Sequence, residues 1–141
     1  MPAIDSCEPQ VVRALDKIGW LLKQRQYSIR LGRRKSRYVH ADLLLTHVDT
    51  LQSLIVIEVK CFTNTRTIVG DFYCAVGQYL FYRNALKWDQ KMEVLYLALP
   101  TTAYARLMQL PAARTTLLEA KINLIVVDLQ REEVERWITP V

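Results

Sequence analysis

Four consecutive apolar residues, Leu54-Ile55-Val56-Ile57, are followed by polar side chains at every second position, Glu58 and Lys60. The run predicts a central strand over residues 54–61, β-branched and covered on both faces at its start. With a period of two, Glu58 and Lys60 leave the strand on one face. Earlier in the chain Tyr27, Ile29 and Leu31 alternate with Ser28 and Arg30, which predicts a half-buried strand in an extended segment that begins at Trp20. Gly32 with Arg33-Arg34-Lys35-Ser36 reads as a basic turn. A returning strand over residues 37–46 then sets Tyr38, His40, Asp42 and Leu44 on one face, and residues 47–52 form the next turn. The simplest arrangement is an antiparallel meander that lays the Asp42 strand beside the Glu58 strand.

Helical spacing brackets this meander. Residues 6–18 carry one apolar stripe, Val11, Val12, Leu15 and Ile18, with Ser6 as cap, Glu8 in the first turn, Pro9 tolerated there and Gly19 as the stop. After a polar loop, Asp71 reads as the N-cap of a long helix over residues 72–87. Its core stripe is Phe72, Ala75, Val76, Tyr79 and Leu80, while Gln78 and Tyr82, four apart, share a neighbouring face with Asp71 and Ala75. Beyond it come a strand over 93–99 stopped by Pro100, short helices over 101–109 and 112–119, a buried strand over 122–128 and an edge strand over 133–138, with Val134, Arg136 and Ile138 on one side. The pattern predicts one α/β (α+β) domain over residues 1–141, a mixed sheet flanked by helices, with no repeat and no linker.

Composition agrees with one ordinary globular domain: 51% hydrophobic and 23% charged residues. No apolar run reaches membrane-spanning length and the N-terminus has no signal-peptide pattern, so the chain reads as cytoplasmic, without a membrane partner. Three cysteines, Cys7, Cys61 and Cys74, without a C-x-x-C spacing, then read as reduced, partly buried thiols rather than a zinc site. The net charge is +5, and 9 of the 19 basic residues lie between Arg13 and Arg37, a stretch that holds one acid, Asp16. Such a block fits either a phosphate-contacting surface or ordinary solvated faces.

Chemistry concentrates at the central strand. An ionised carboxylate at the end of a buried strand needs a cation, a proton or water beside it, so Glu58 requires partners. Asp42, on the strand predicted to lie alongside, is the nearest candidate. Glu8 reads as a charge favourable to its helix N-terminus, with a reach to the same site as the alternative. His40 and His47 read as structural, and Trp20, Trp88 and Trp137 as dispersed packing residues.

A helix, three meander strands, a helix and a further strand, αβββαβ, is the core order of the restriction-endonuclease-like nucleases. The residues resemble their PD-(D/E)XK motif. Asp42 stands 16 residues before Glu58 of Glu58-Val59-Lys60, and Gln78 and Tyr82 match a Gln-x-x-x-Tyr that one branch carries on the following helix. Ala41 stands where many of these nucleases have proline, which leaves Asp49 open as an alternative first acid. A closer likeness covers nearly the whole chain. Glu58-Val59-Lys60-Cys61-Phe62, Gly77-Gln78-Tyr79 with Tyr82-Arg83, Leu95-Tyr96-Leu97-Ala98-Leu99-Pro100 and Leu124-Ile125-Val126-Val127-Asp128 resemble the XisH family, as do Arg13-Ala14-Leu15 and Gly19-Trp20. That family controls excision of the DNA element interrupting fdxN in heterocyst-forming cyanobacteria.

The resemblance implies a restriction-endonuclease-like fold and a metal-dependent DNA endonuclease. Asp42, Glu58 and the Val59 carbonyl would hold Mg²⁺ or Mn²⁺, which would polarise the scissile phosphate and lower the pKa of a bound water. Lys60 would orient that water or stabilise charge on phosphorus, and Gln78 and Tyr82 would brace the carboxylates or Lys60 from the helix. It also implies DNA and a second factor of the XisI type as partners, and a homodimer for cutting two strands. The alternative is a nuclease-like fold, weak or silent in catalysis, that binds DNA or a partner protein and regulates a recombinase.

Overall fold

The computed structural model of the chain describes residues 6–33 and 37–140, Leu51 by its backbone alone. Arg34 and Lys35 of the basic turn lie outside the described residues. Six strands form one mixed sheet whose spatial order follows the chain: β1 (Trp20–Arg30), β2 (Tyr38–His47), β3 (Thr50–Val59), β4 (Val94–Pro100), β5 (Leu124–Asp128) and β6 (Glu133–Ile138). The first three are antiparallel, β3, β4 and β5 are parallel, and β6 returns antiparallel. Helix α1 (Glu8–Lys17) precedes the sheet. The crossover from β3 to β4 is α2 (Ile68–Trp88), and that from β4 to β5 is the pair α3 (Thr101–Met108) and α4 (Pro111–Glu119). Parallel neighbours require such crossovers.

Each face of the sheet has its own core. On the α1 side Val11, Ala14 and Leu15 pack on Leu43, Leu45, Ile55, Ile57 and Val59. On the α2 side Phe72, Ala75, Tyr79 and Leu86 pack on Val56, Leu95, Leu97 and Val126. Tyr79 also pins the crossover: its hydroxyl donates to the Leu95 carbonyl and accepts the Asn123 N–H, at 3.0 and 3.1 Å. Helix α1 touches both edges of the sheet. Arg25 of β1 pairs with its Glu8, while its Arg13 forks onto Glu132 beside β6 and its Lys17 donates to the Arg131 carbonyl. The sheet therefore curls around α1, as the right-handed twist of strands allows.

That curl corrects one expectation. Trp20 and Trp137 are not dispersed: their ring centroids lie 6.2 Å apart, and His47 and Tyr96 close the cluster edge-on. Within the basic block Arg13, Lys17, Arg25 and Arg30 are engaged by Glu132, the Arg131 carbonyl, Glu8 and Asp89, while the three arginines stay open to solvent. The cysteines differ too. Cys7, at the start of α1, and Cys61, just past β3, form a disulfide across 54 residues with Cα atoms 5.8 Å apart, and Cys74 is free and exposed. The expectation of three thiols failed because only folding brings α1's first turn onto the end of β3.

Local boundaries moved for identifiable reasons. Cys7, not Ser6, occupies the N-cap of α1, with no side-chain cap bond. A 3-10 turn over Thr65–Thr67 feeds straight into α2, so the helix begins at Ile68, and Asp71 accepts a bond from Thr67 Oγ1 within its first turn rather than capping it. The β2–β3 turn needs only Val48 and Asp49. A register shift between β5 and β6 puts Val134 on the α1-side core and Ile138 on the other. Among the described residues no helix is long and apolar enough to cross a membrane.

Candidate active site

Backbone pairing between β2 and β3 starts at Thr50 and reaches Leu43 opposite Ile57. At the next position side chains take over. The Asp42 N–H donates to Glu58 Oε1 at 2.9 Å, and the Val59 N–H donates to Asp42 Oδ2 at 2.8 Å. Each carboxylate thus accepts a main-chain N–H from the opposite strand. Bonds to a charged acceptor contribute roughly 1.5–3 kcal/mol each, enough to hold like charges beside one another. Glu58 is 3% exposed and Asp42 half-buried.

The geometry that turns Asp42 inward begins on β1. Arg25 pairs with Leu43 and Tyr27 with Ala41, while Gln26 between them adopts the left-handed conformation, φ 53°. Strict alternation would send Ala41 and Leu43 to one face. Instead Leu43 joins the α1-side core, and Ala41 with Tyr27 joins the α2-side core. The alternation of both strands resets at the level of Gln26 and Asp42. Gln26 also buries its Oε1 without a hydrogen bond among the described residues. Glutamine at position 26 does not by itself mark a left-handed residue. The one signal was a lapse in alternation before Tyr27.

Glu58 and Lys60 face α2, since Val59 and Cys61 between and beyond them face α1. Lys60 anchors its own backbone by donating its N–H to the Ala98 carbonyl, and its side chain lines a cleft of about 260 Å³ with Phe62, Thr63, Asp71 and Cys74. A larger cavity of about 490 Å³ lies between the start of α1 and α3, lined by the disulfide; Asp42 and Glu58 line neither. From α2, Gln78 Nε2 donates to the Tyr82 hydroxyl at 2.9 Å, which in turn donates to the His40 carbonyl at 3.4 Å. The Tyr82 phenol is pushed above its ordinary value, first by burial and further by the negative charges of Glu58 and Asp42, with the Gln78 bond opposing. The two helix residues are therefore tied to the β2 backbone at His40, and Tyr82 feels the charge of the acid pair.

The remaining candidates fall elsewhere. Asp49 sits 85% exposed in the β2–β3 turn, its N–H bonded to His47, at the far end of β3 from Glu58. Glu8 is 1% exposed and paired to Arg25 at 2.6 Å. His40 contacts Ser28 through Nδ1 at 3.1 Å, and His47 packs on Trp20. Val59 contributes its N–H to Asp42. Among the described residues no group of three or more His, Cys, Asp or Glu side chains is placed to hold a metal ion.

The comparisons with known proteins agree with one another. A crystal structure of an XisH family protein from Nostoc punctiforme PCC 73102 superimposes with a TM-score of 0.83 at 29% identity, covering 95% of this chain and 100% of that one. A crystal structure of an fdxN element excision controlling factor protein from Anabaena variabilis gives 0.83 at 28% identity, covering 94% and 98%. No curated protein matches. The XisH family model matches residues 1–135, nearly the whole of the chain, which therefore belongs to the XisH family.

Proposed function

We propose that the chain is a metal-dependent endodeoxyribonuclease of the PD-(D/E)XK kind, acting on DNA in the excision of a genetic element. The Anabaena variabilis relative, an fdxN element excision controlling factor, supplies the biological setting. The observation that carries the chemistry is the reciprocal bracket of Asp42 and Glu58 by main-chain N–H groups of the opposite strand. Two carboxylates fixed side by side at a strand end present paired oxygen donors that a divalent cation would neutralise. Their hard oxygen donors suit Mg²⁺ or Mn²⁺, which such sites hold with one or two carboxylates and waters. Bound there, the cation would activate water and neutralise charge on the phosphate.

The protein's own groups have distinct tasks in this reading. Asp42, Glu58 and the Val59 carbonyl would hold the cation. Lys60, on the face of Glu58 and lining the cleft, would stabilise charge developing on the phosphate or orient the attacking water. Tyr82, held by Gln78, fixes the β2 backbone next to Asp42 and so keeps the acid pair in place. A second factor of the XisI type is the partner this reading carries. One observation favours the alternative of a regulatory module without cleavage: four cations of the basic block are already engaged within the molecule, which leaves fewer for phosphates.

Glu58→Gln separates the two. The amide keeps an oxygen for the Asp42 N–H and so preserves the strand geometry. The nuclease reading expects divalent-dependent cleavage of DNA to fall at least about 100-fold. Equal cleavage by both proteins, or none by either, supports the regulatory module.

A further inference from the structure

We infer that the cavity of about 490 Å³ beside the disulfide is a second phosphate subsite, where Arg106 holds a phosphate of the DNA strand beyond the one at Lys60. The inference rests on the DNA-directed reading of the Lys60 cleft. The cavity lies at the carboxyl ends of all three parallel strands. Cys61, Phe62 and Thr63 follow β3, Pro100 ends β4, and Leu129 follows β5. Open α/β sheets take their ligands outside the carboxyl ends of such strands. The volume falls in the range of small-molecule sites, roughly 300–1,000 Å³, and suits a nucleotide of a single strand rather than a duplex.

The two hollows share a wall. Cys61, Phe62 and Thr63 line both the cavity and the cleft of Lys60. Phe62 adopts the left-handed conformation there, φ 51°, which is strained for a residue other than glycine and collects at ligand sites. The disulfide ties the start of α1 to the same wall, so a covalent bond holds the two sides of the cavity together.

Charge and donors name the ligand. Among the described residues that line the cavity, Arg106 carries the only charge, and Thr63, Thr65 and Thr102 offer hydroxyls. A guanidinium fork and hydroxyls are donors suited to phosphate oxygens. Arg106 also stands outside the basic block, four of whose cations are engaged within the molecule. Lys60, beyond the shared wall, is a second cation on one path, which matches the repeated charge of a nucleic-acid strand rather than a lone anion.

Binding of a labelled single-stranded oligonucleotide, read by fluorescence anisotropy in EDTA, tests this without cleavage. Arg106→Ala is expected to weaken binding roughly tenfold and to lower the slope of log K against log salt by about 0.7. Thr102→Glu, which suits the first turn of α3, is expected to weaken it as much by placing a carboxylate in the cavity. Lys87→Ala, in the last turn of α2, removes a cation away from the cavity and should bind nearly as the parent does. Titration with inorganic phosphate separates a strand phosphate from a free one. A parent that does not bind the oligonucleotide, Arg106→Ala binding it as the parent does, or an equal loss in Lys87→Ala would overturn the proposal. So would a loss in Arg106→Ala confined to inorganic phosphate. Arg106-dependent binding by a protein that cleaves nothing would remove the nuclease reading and leave the subsite standing.

Discussion

Removing the covalent tie between α1 and the end of β3 is expected to destabilise the protein by about 4 kcal/mol. Cys7 and Cys61 close a loop of 54 residues. Cross-linking a loop of that size restricts the unfolded chain by an entropy equivalent to about 4 kcal/mol at 25 °C. Against a typical domain stability of roughly 5–15 kcal/mol this is a large share. In a chain of this length it corresponds to a fall in Tm of roughly 10–20 °C. The Cys7 N–H, which donates to Cys61 Sγ at 3.1 Å, loses part of that bond as well. The assay is urea unfolding followed by tryptophan fluorescence, comparing the parent with Cys7→Ser in buffer without reductant. Cys74→Ser, altering an exposed free thiol, serves as control and should leave the midpoint where it was. Thiol titration of the denatured, unreduced chain should find one thiol. Three thiols, or a Cys7→Ser midpoint equal to the parent's, would refute the reasoning.

Other expectations follow from individual contacts. Tyr82→Phe removes the hydroxyl that links Gln78 to the His40 carbonyl. It should cost about 1–2 kcal/mol in urea unfolding and lower divalent-dependent cleavage about tenfold; unchanged stability would mean that the bridge is not held in solution. Tyr79→Phe leaves the partly buried Asn123 N–H without its acceptor, so a loss of about 1–2 kcal/mol is expected, read from the same unfolding curves. Acid sensitivity has a defined sign at Glu132, whose carboxyl is held below its usual 4.5 chiefly by the hydrogen bond from Arg13. Its stabilisation is complete above the unfolded value and fades as the pH falls through the lowered folded value. Glu132→Gln should therefore flatten the acid limb of the unfolding midpoint below about pH 5, and an acid limb identical to the parent's would contradict the pairing.

The elements that could be read from the chain are those whose signals are local. Apolar Leu54 to Ile57, the stripe of α1 and the alternation of Tyr27 and Ile29 each specify one element through its own period. Turn economy then made neighbours of β2 and β3, and with them Asp42 and Glu58. What escaped depends on distant approach. The disulfide joins residues that share no neighbourhood until α1 packs, and Trp20 meets Trp137 only because the sheet curls. The reset at Gln26 is a backbone conformation that glutamine rarely adopts, with no glycine to mark it. The engagement of Arg13 and Arg25 was equally hidden, because a basic block looks the same in sequence whether its acids come from solvent-facing turns or from a buried Glu8. Asp71 resembled a cap by residue type, but the 3-10 turn before it had already started the helix.

The measurement closest to the central claim is nicking of supercoiled DNA by the purified protein in Mg²⁺ and in Mn²⁺, beside Lys60→Ala. Lys60 holds its strand through its backbone N–H, so the substitution leaves the fold in place and removes one amine from the cleft. The account predicts metal-dependent nicking by the parent and a loss of at least about 100-fold in Lys60→Ala. Parent and variant that behave alike, with DNA intact in either metal, would contradict it.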